Sequence, residues 1–251
     1  MSALEIRFPK APIIEAVLDI ECDMPPGQKI ASLEEAARDR LRDRYPKFRA
    51  QFLQEHRIEA KPDQPPQMSV RQDVQALQFL TEDEKQLVQV RVQGFSFNRL
   101  APYGSLDDYL PEIERTWRLF IELASPVQVR VIRMRYINRI QLPLTAGRVQ
   151  LDKYLHVAPH LPDEKALTFT GFLNQHSAIE AETGHQVNLV LTMQPADGEN
   201  LPLIFDNCVA AVEAGEPENW PWILTKIQAL RALKNRIFKN TLTEQCQNLF
   251  Q

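Results

Sequence analysis

Glycine is in short supply. The chain carries eight in 251 residues, at positions 27, 94, 104, 147, 171, 184, 198 and 215, and none falls into GxGxxG or GxxxxGK[ST] spacing. Loops that cradle phosphates through Gly-rich backbone are therefore excluded. Cysteine is scarce as well: Cys22, Cys208 and Cys246 are an odd number without a CxxC pair. They read as reduced residues of a reducing compartment, which predicts a cytoplasmic location. Cys22 and Cys208 are further expected to be small buried hydrophobes. No apolar run approaches the roughly 20 residues of a membrane span, and the opening MSALEIRFPK lacks the apolar stretch of a signal peptide, so neither membrane insertion nor secretion is expected.

Catalytic signatures are missing too. There is no GxSxG elbow and no HExxH, and the cysteines lack the local surroundings of cysteine enzymes. His156 and His160 stand four apart, but Pro159 and Pro162 break any helix that would bring them together. His56, His176 and His185 fall on separate predicted strands. No metal and no cofactor is expected, and no catalytic residue is assigned. Basic charge is not in surplus either, since 29 Lys and Arg against 33 Asp and Glu leave a formal net charge of −4. That disfavours nucleic acid as a partner while leaving a local basic patch open.

What is present is the composition of a globular protein, 44% hydrophobic and 25% charged, enough for a sizeable core. PIIEAVLDIE (12–21) alternates at period two, with Ala16, Leu18 and Ile20 on one face and Glu15, Asp19 and Glu21 on the other, which predicts a strand. Ser32 with Glu35 three residues on reads as a capping box, opening a helix that ends near Tyr45-Pro46. Three antiparallel strands are expected between Phe48 and Leu100, followed by an amphipathic helix over 105–124. The order then recurs: a strand over 127–140, a short helix over 151–157, β-like stretches at 166–181, 185–195 and 201–213, and a long helix over 220–240. Both halves, 1–125 and 126–251, thus read β-α-β-β-β-α within one continuous unit. The expected class is α+β, with antiparallel sheets, long helices on one face and a duplicated, saddle-like arrangement; a helix-grip cavity fold is the alternative.

Several segments carry a family resemblance: FPKAPIIEAVLDI (8–20), Tyr45-Pro46, FSFNRLAPY (95–103), RYINRI (135–140) and KNRIFKNTLT (234–243). Together they resemble a sporadically distributed family of uncharacterised prokaryotic proteins of about this length, over nearly the whole chain. The resemblance carries no activity, ligand or site residue with it. Its patchy distribution, similar to that of genes on mobile elements, points to a defence or stress context.

Two clusters are candidate ligand-binding sites. In FSFNRLAPY, Asn98, Arg99 and Tyr103 stand beside Phe95 and Phe97, so bases could stack while Arg holds phosphate; the plainer reading has both phenylalanines in the core. On the strand at 127–140, Arg130, Arg133, Arg135 and Arg139 crowd together, with forks suited to carboxylate or phosphate. If the leading strands of the two halves pair, these arginines lie beside Glu15 and Asp19, as structural charge pairs or as a binding site. Three function classes follow. The first is a non-enzymatic interaction or regulatory module, with a protein partner or a second copy engaged through apolar surface near Trp220, Trp222, Leu249 and Phe250. The second is a nucleic-acid-binding saddle, which needs Arg99, Arg133, Arg135 and Arg139 on one open face. The third is an enzyme with an acid/Arg active site.

Overall fold

The computed structural model describes residues 8–59, 67–163, 166, 167 and 169–251, excepting the side chains of 55–59, 67–69 and 71. The Pro-rich connection at 61–66 and the His56 side chain lie outside the described residues. Strand β1 (Ile13–Asp23) shows the alternation read from its sequence, burying Ala16, Leu18, Ile20 and Cys22 and turning Glu15, Asp19 and Glu21 to the other face. A 3-10 turn (Ile30–Leu33) then leads into α1 (Glu34–Leu41). Ser32 does not cap this helix as expected. Its hydroxyl donates to the Lys29 carbonyl at 2.7 Å, closing the turn.

Strands β2 (Lys47–Glu59), β3 (Gln67–Leu80), β4 (Gln86–Arg91) and β5 (Gly94–Leu100) follow, one more than the three expected. The stretch read as a single strand, KQLVQVRVQGFSFNRL, is a hairpin that turns at Val92 and Gln93. Gly94 makes that turn possible, because its φ of +132° is open to few other residues and a Cβ there would lie 2.2 Å from the Ile20 carbonyl oxygen. The next helix, α2 (Leu106–Ala124), owns a real capping box: Ser105 Oγ accepts from the Asp107 amide, and Asp108 accepts from the Ser105 amide at 2.9 Å.

In the second half come β6 (Gln128–Pro143), a 3-10 turn at Leu151–Lys153 where a short helix was expected, then β7 (Leu173–Ile179), β8 (Gln186–Met193) and β9 (Asn200–Gly215). Helix α3 (Trp220–Thr241), short α4 (Glu244–Gln247) and a last 3-10 turn end the chain. The strands form one antiparallel open sheet of nine, in the order β2-β3-β4-β5-β1-β6-β9-β8-β7. The two leading strands are adjacent, as expected, with Asp19 opposite Arg133 and Val17 opposite Arg135.

Helices cover one face of this sheet. Trp117 and Phe120 of α2 pack on Phe95, with ring centroids 5.6 and 5.8 Å away, and Ile223, Ile227 and Leu230 of α3 join the same buried cluster. A second cluster gathers Phe205, Phe238 and Phe250, with Phe8 against them, below the end of α3. This folding back removes the apolar surface expected near the C-terminus. Trp220 and Phe250 are buried, Trp222 lies against Gly215, and of the four residues Leu249 alone is exposed. Among the described residues no helix is long and apolar enough to cross a membrane.

Candidate functional site

The expected site residues are divided by the sheet. Glu15, Asp19, Asn98, Arg133, Arg135 and Arg139 point to the face without helices, whereas Arg99 shares the opposite face with Phe95 and Phe97 and lies 5.4 Å from the Tyr109 ring centre. Tyr103 also belongs to the helix side. On the open face each expected arginine meets an acid. Arg133 bonds Glu21 at 2.6 Å and stands 3.9 Å from Asp19, which pairs more closely with Arg91 at 3.0 Å. Arg135 forks onto Asp206 of β9, with contacts of 2.5 to 3.0 Å, and Arg139 stands 3.6 Å from Asp197. Glu15 accepts from the Asn98 amide at 2.8 Å.

The pairing expected between the acids of β1 and Arg133 or Arg135 is met by Asp19 and Arg133, while Arg135 turns elsewhere. Register explains the difference, because Arg135 faces the apolar Val17 on β1 and Asp206 stands one step diagonal to it on β9. Burial pushes the Asp19 carboxyl above its ordinary value against the pull of Arg91 and Arg133. Cys208 also lies on this face, half-buried rather than fully buried, and desolvation lifts its thiol to about 11. Cys22 and Cys246 are buried, with thiols lifted to about 12 by desolvation. The acids and arginines of the open face thus stand in one network of opposite charges, in which Arg91 Nε is left without a hydrogen-bond partner among the described residues. Among the described residues no group of three His, Cys, Asp or Glu could hold a metal ion.

A different constellation forms on the helix side. A cavity of about 240 Å³ opens where the two apolar clusters part, walled by the segment before β1, the loop before α2, the core face of β6 and one stripe of α3. Tyr103 and Tyr136 meet there, hydroxyl to hydroxyl at 2.8 Å. Arg231 of α3 reaches both oxygens of Asp107 at 2.8 and 3.0 Å. One turn on, the Lys234 ammonium lies 3.7 Å over the Tyr136 ring centre and, among the described residues, has no carboxylate or hydrogen-bond acceptor beside it. Part of the residue's surface faces the cavity, but the surrounding atoms strip water from its ammonium. This desolvation, with Arg231 adding to it, pulls the Lys234 pKa from 10.5 down to about 7. Desolvation likewise lifts the Tyr103 phenol far above its ordinary value and the Tyr136 phenol to about 12.

No family model, curated protein or solved structure matches this chain. The convergence of its own segments is the stronger guide. FPKAPII supplies Phe8, Pro12 and Ile13 to the cavity, FSFNRLAPY supplies Tyr103, RYINRI supplies Tyr136 and Asn138, and KNRIFKNTLT supplies Lys234 and Phe238. Of these, sequence reasoning singled out Tyr103 as a site residue and missed Lys234, Arg231, Tyr136 and Asn138. A signal for two of them was present: at helical spacing Arg231 and Lys234 fall on the apolar stripe of Ile227, Leu230 and Phe238, where a charged side chain must find a reason to be.

Proposed function

We propose that the chain is a non-enzymatic regulatory module that binds a small organic ligand in the cavity beside Lys234. In the defence or stress context implied by the resemblance, it would pass the occupancy of that cavity to a protein partner or a second copy. The observation that carries this reading is Lys234: a desolvated ammonium on a cavity wall, facing an aromatic ring and, among the described residues, no counter-charge. A buried cation without a partner is costly, and an anionic ligand would supply what the protein does not. Apolar walls with a few convergent polar groups are the ordinary make-up of a ligand pocket.

The same reading takes the fold as a duplicated, saddle-like unit of two halves, 1–125 and 126–251. In its support, the strands run outward from the centre as β1-β5-β4-β3-β2 on one side and β6-β9-β8-β7 on the other, so that the first strand of each half is innermost and the last lies beside it. A long helix follows the last strand each time. A helix-grip arrangement gives no account of that central pair. The nucleic-acid reading is weakened because Arg133, Arg135 and Arg139 each stand near an acid and Arg99 occupies the other face. An acid/Arg active site retains the raised Asp19 carboxyl, but the cavity lies across the sheet from it.

Native mass spectrometry of untagged protein from its own cells tests the proposal. The expected result is a small-molecule adduct that is lost on denaturation and absent from Lys234→Met. Parent protein without any adduct, or an equal adduct on Lys234→Met, overturns it.

A further inference from the structure

The geometry points to the class of ligand: a small carboxylic acid with an apolar body and a hydrogen-bond donor, hydroxyl or ammonium, next to its carboxylate. This inference rests on the cavity reading above and specifies its occupant. Size comes first. At about 240 Å³ the space falls below the roughly 300 to 1,000 Å³ typical of drug-sized ligands, yet far exceeds the ~15 Å³ that holds one water. A single small acid suits it better than a nucleotide or a peptide.

Charge comes second. Among the described residues that wall the space three carry charge, Asp108, Arg231 and Lys234, and two of the three are engaged. Arg231 forks onto Asp107, and Asp108 accepts from the Ser105 amide as part of the α2 capping box. Lys234 is left, and among the described residues its ammonium has only the Tyr136 ring. A ligand carboxylate beside it would form a charge-assisted hydrogen bond in desolvated surroundings, where such a bond is strongest.

Asn138 supplies the third observation. It is 1% exposed, belongs to the cavity wall, and donates from Nδ2 to the Tyr136 carbonyl at 3.2 Å and the Phe205 carbonyl at 3.0 Å. Those two acceptors fix which way the amide points. Its Oδ1 is thereby left as a buried acceptor with no partner among the described residues. Such an atom costs free energy until a donor reaches it, and because almost none of its surface is open to the cavity, the wall must give slightly to admit one. A hydroxyl or ammonium on the carbon next to the carboxylate places donor and acid on one small molecule. The apolar remainder would lie against Phe8, Pro12 and Phe238.

Four probes of one shape separate these requirements by isothermal titration calorimetry. They are 2-hydroxy-4-methylpentanoate, leucine, 4-methylpentanoate, which lacks the donor, and 4-methylpentane-1,2-diol, which lacks the carboxylate. The hydroxy acid or leucine should bind at least about tenfold more tightly than either truncated probe, the loss that one unmade hydrogen bond to a buried partner entails. Lys234→Met should lose the preference for the acid over the diol while melting no lower than the parent. Arg135→Ala, altered on the far face, should bind as the parent does. A diol as tight as the acid overturns the role given to Lys234, and 4-methylpentanoate as tight as the hydroxy acid overturns that given to Asn138. If no probe binds but the parent carries a native adduct, the ligand class is wrong and the cavity reading stands; if there is neither binding nor adduct, both fall.

Discussion

Replacing Lys234 with methionine keeps an unbranched side chain of similar reach and removes a cation that the fold desolvates and, among the described residues, leaves unpaired. Its pKa of about 7 against an ordinary 10.5 leaves a gap of three to four pH units, worth about 5 kcal/mol at ~1.4 kcal/mol per unit. That gap is the net of burial and of the attraction of the Tyr136 ring, so the unliganded variant is predicted to be more stable than the parent by up to about 5 kcal/mol near pH 6. For a chain of this size that corresponds to a rise of up to about 10–20 °C in Tm. The sign with pH follows from linkage. Because the folded pKa lies below the unfolded one, the penalty is complete below pH 7 and is relieved as pH climbs from 7 toward 10.5, where both states have lost the proton. The variant's advantage should therefore shrink steadily between pH 7 and pH 10. Calorimetric melting of both proteins across that range is the assay. A variant less stable than the parent at pH 6, or one whose advantage is the same at pH 6 and pH 10, would refute the claim that this ammonium is buried unpaired.

Other perturbations follow from the same structure. Arg135→Ala should cost under about 1 kcal/mol in chemical denaturation, because the Asp206 pair is half-exposed on the arginine side. Arg133→Ala should cost more, of order 1–3 kcal/mol, since it withdraws a partner from Glu21 and from the desolvated Asp19 together. If Arg135→Ala proves the more damaging, the assignment of partners across β1, β6 and β9 is wrong. Gly94→Ala should destabilise by more than about 2 kcal/mol, because it combines a disfavoured φ with a Cβ driven into the Ile20 carbonyl; a neutral melting shift would show that the β4-β5 turn can relax. Phe205→Ala, which empties the second apolar cluster below the cavity, should cost about 3–5 kcal/mol by equilibrium unfolding.

Much of the fold was legible because periodicity reports on which side of an element is dry. The acids and apolar residues of β1 alternate cleanly, and the stripes of α2 and α3 repeat at helical spacing, so these elements and the β1-β6 pairing could be read from the chain. The β4-β5 hairpin was hidden for a physical reason: Val92, Gln93 and Gly94 continue the alternation of their neighbours, and only the approach of β1 at Ile20 shows why Gly94 must be a glycine. The start of α1 misled because Ser32 and Glu35 have capping-box spacing, while the hydroxyl serves the preceding turn. The cavity was less legible still. Its wall draws on segments more than two hundred residues apart, from Phe8 to Phe238, and the role of Lys234 is set by the absence, among the described residues, of an acid near it in space. No spacing in the sequence reports an absence of that kind. The arginines of β6 drew attention by their number, yet each stands near an acid: Asp23 for Arg130, Glu21 for Arg133, Asp206 for Arg135 and, from the loop before β9, Asp197 for Arg139.

The central claim, that Lys234 awaits an anion, is tested most directly by following its side-chain signals in NMR across pH, with and without saturating ligand. The free protein should titrate near 7, and a bound carboxylate should drive the midpoint up toward the ordinary 10.5, because a neighbouring negative charge favours the ammonium. A free midpoint already near 10.5, or one that ligand leaves unmoved, would contradict it.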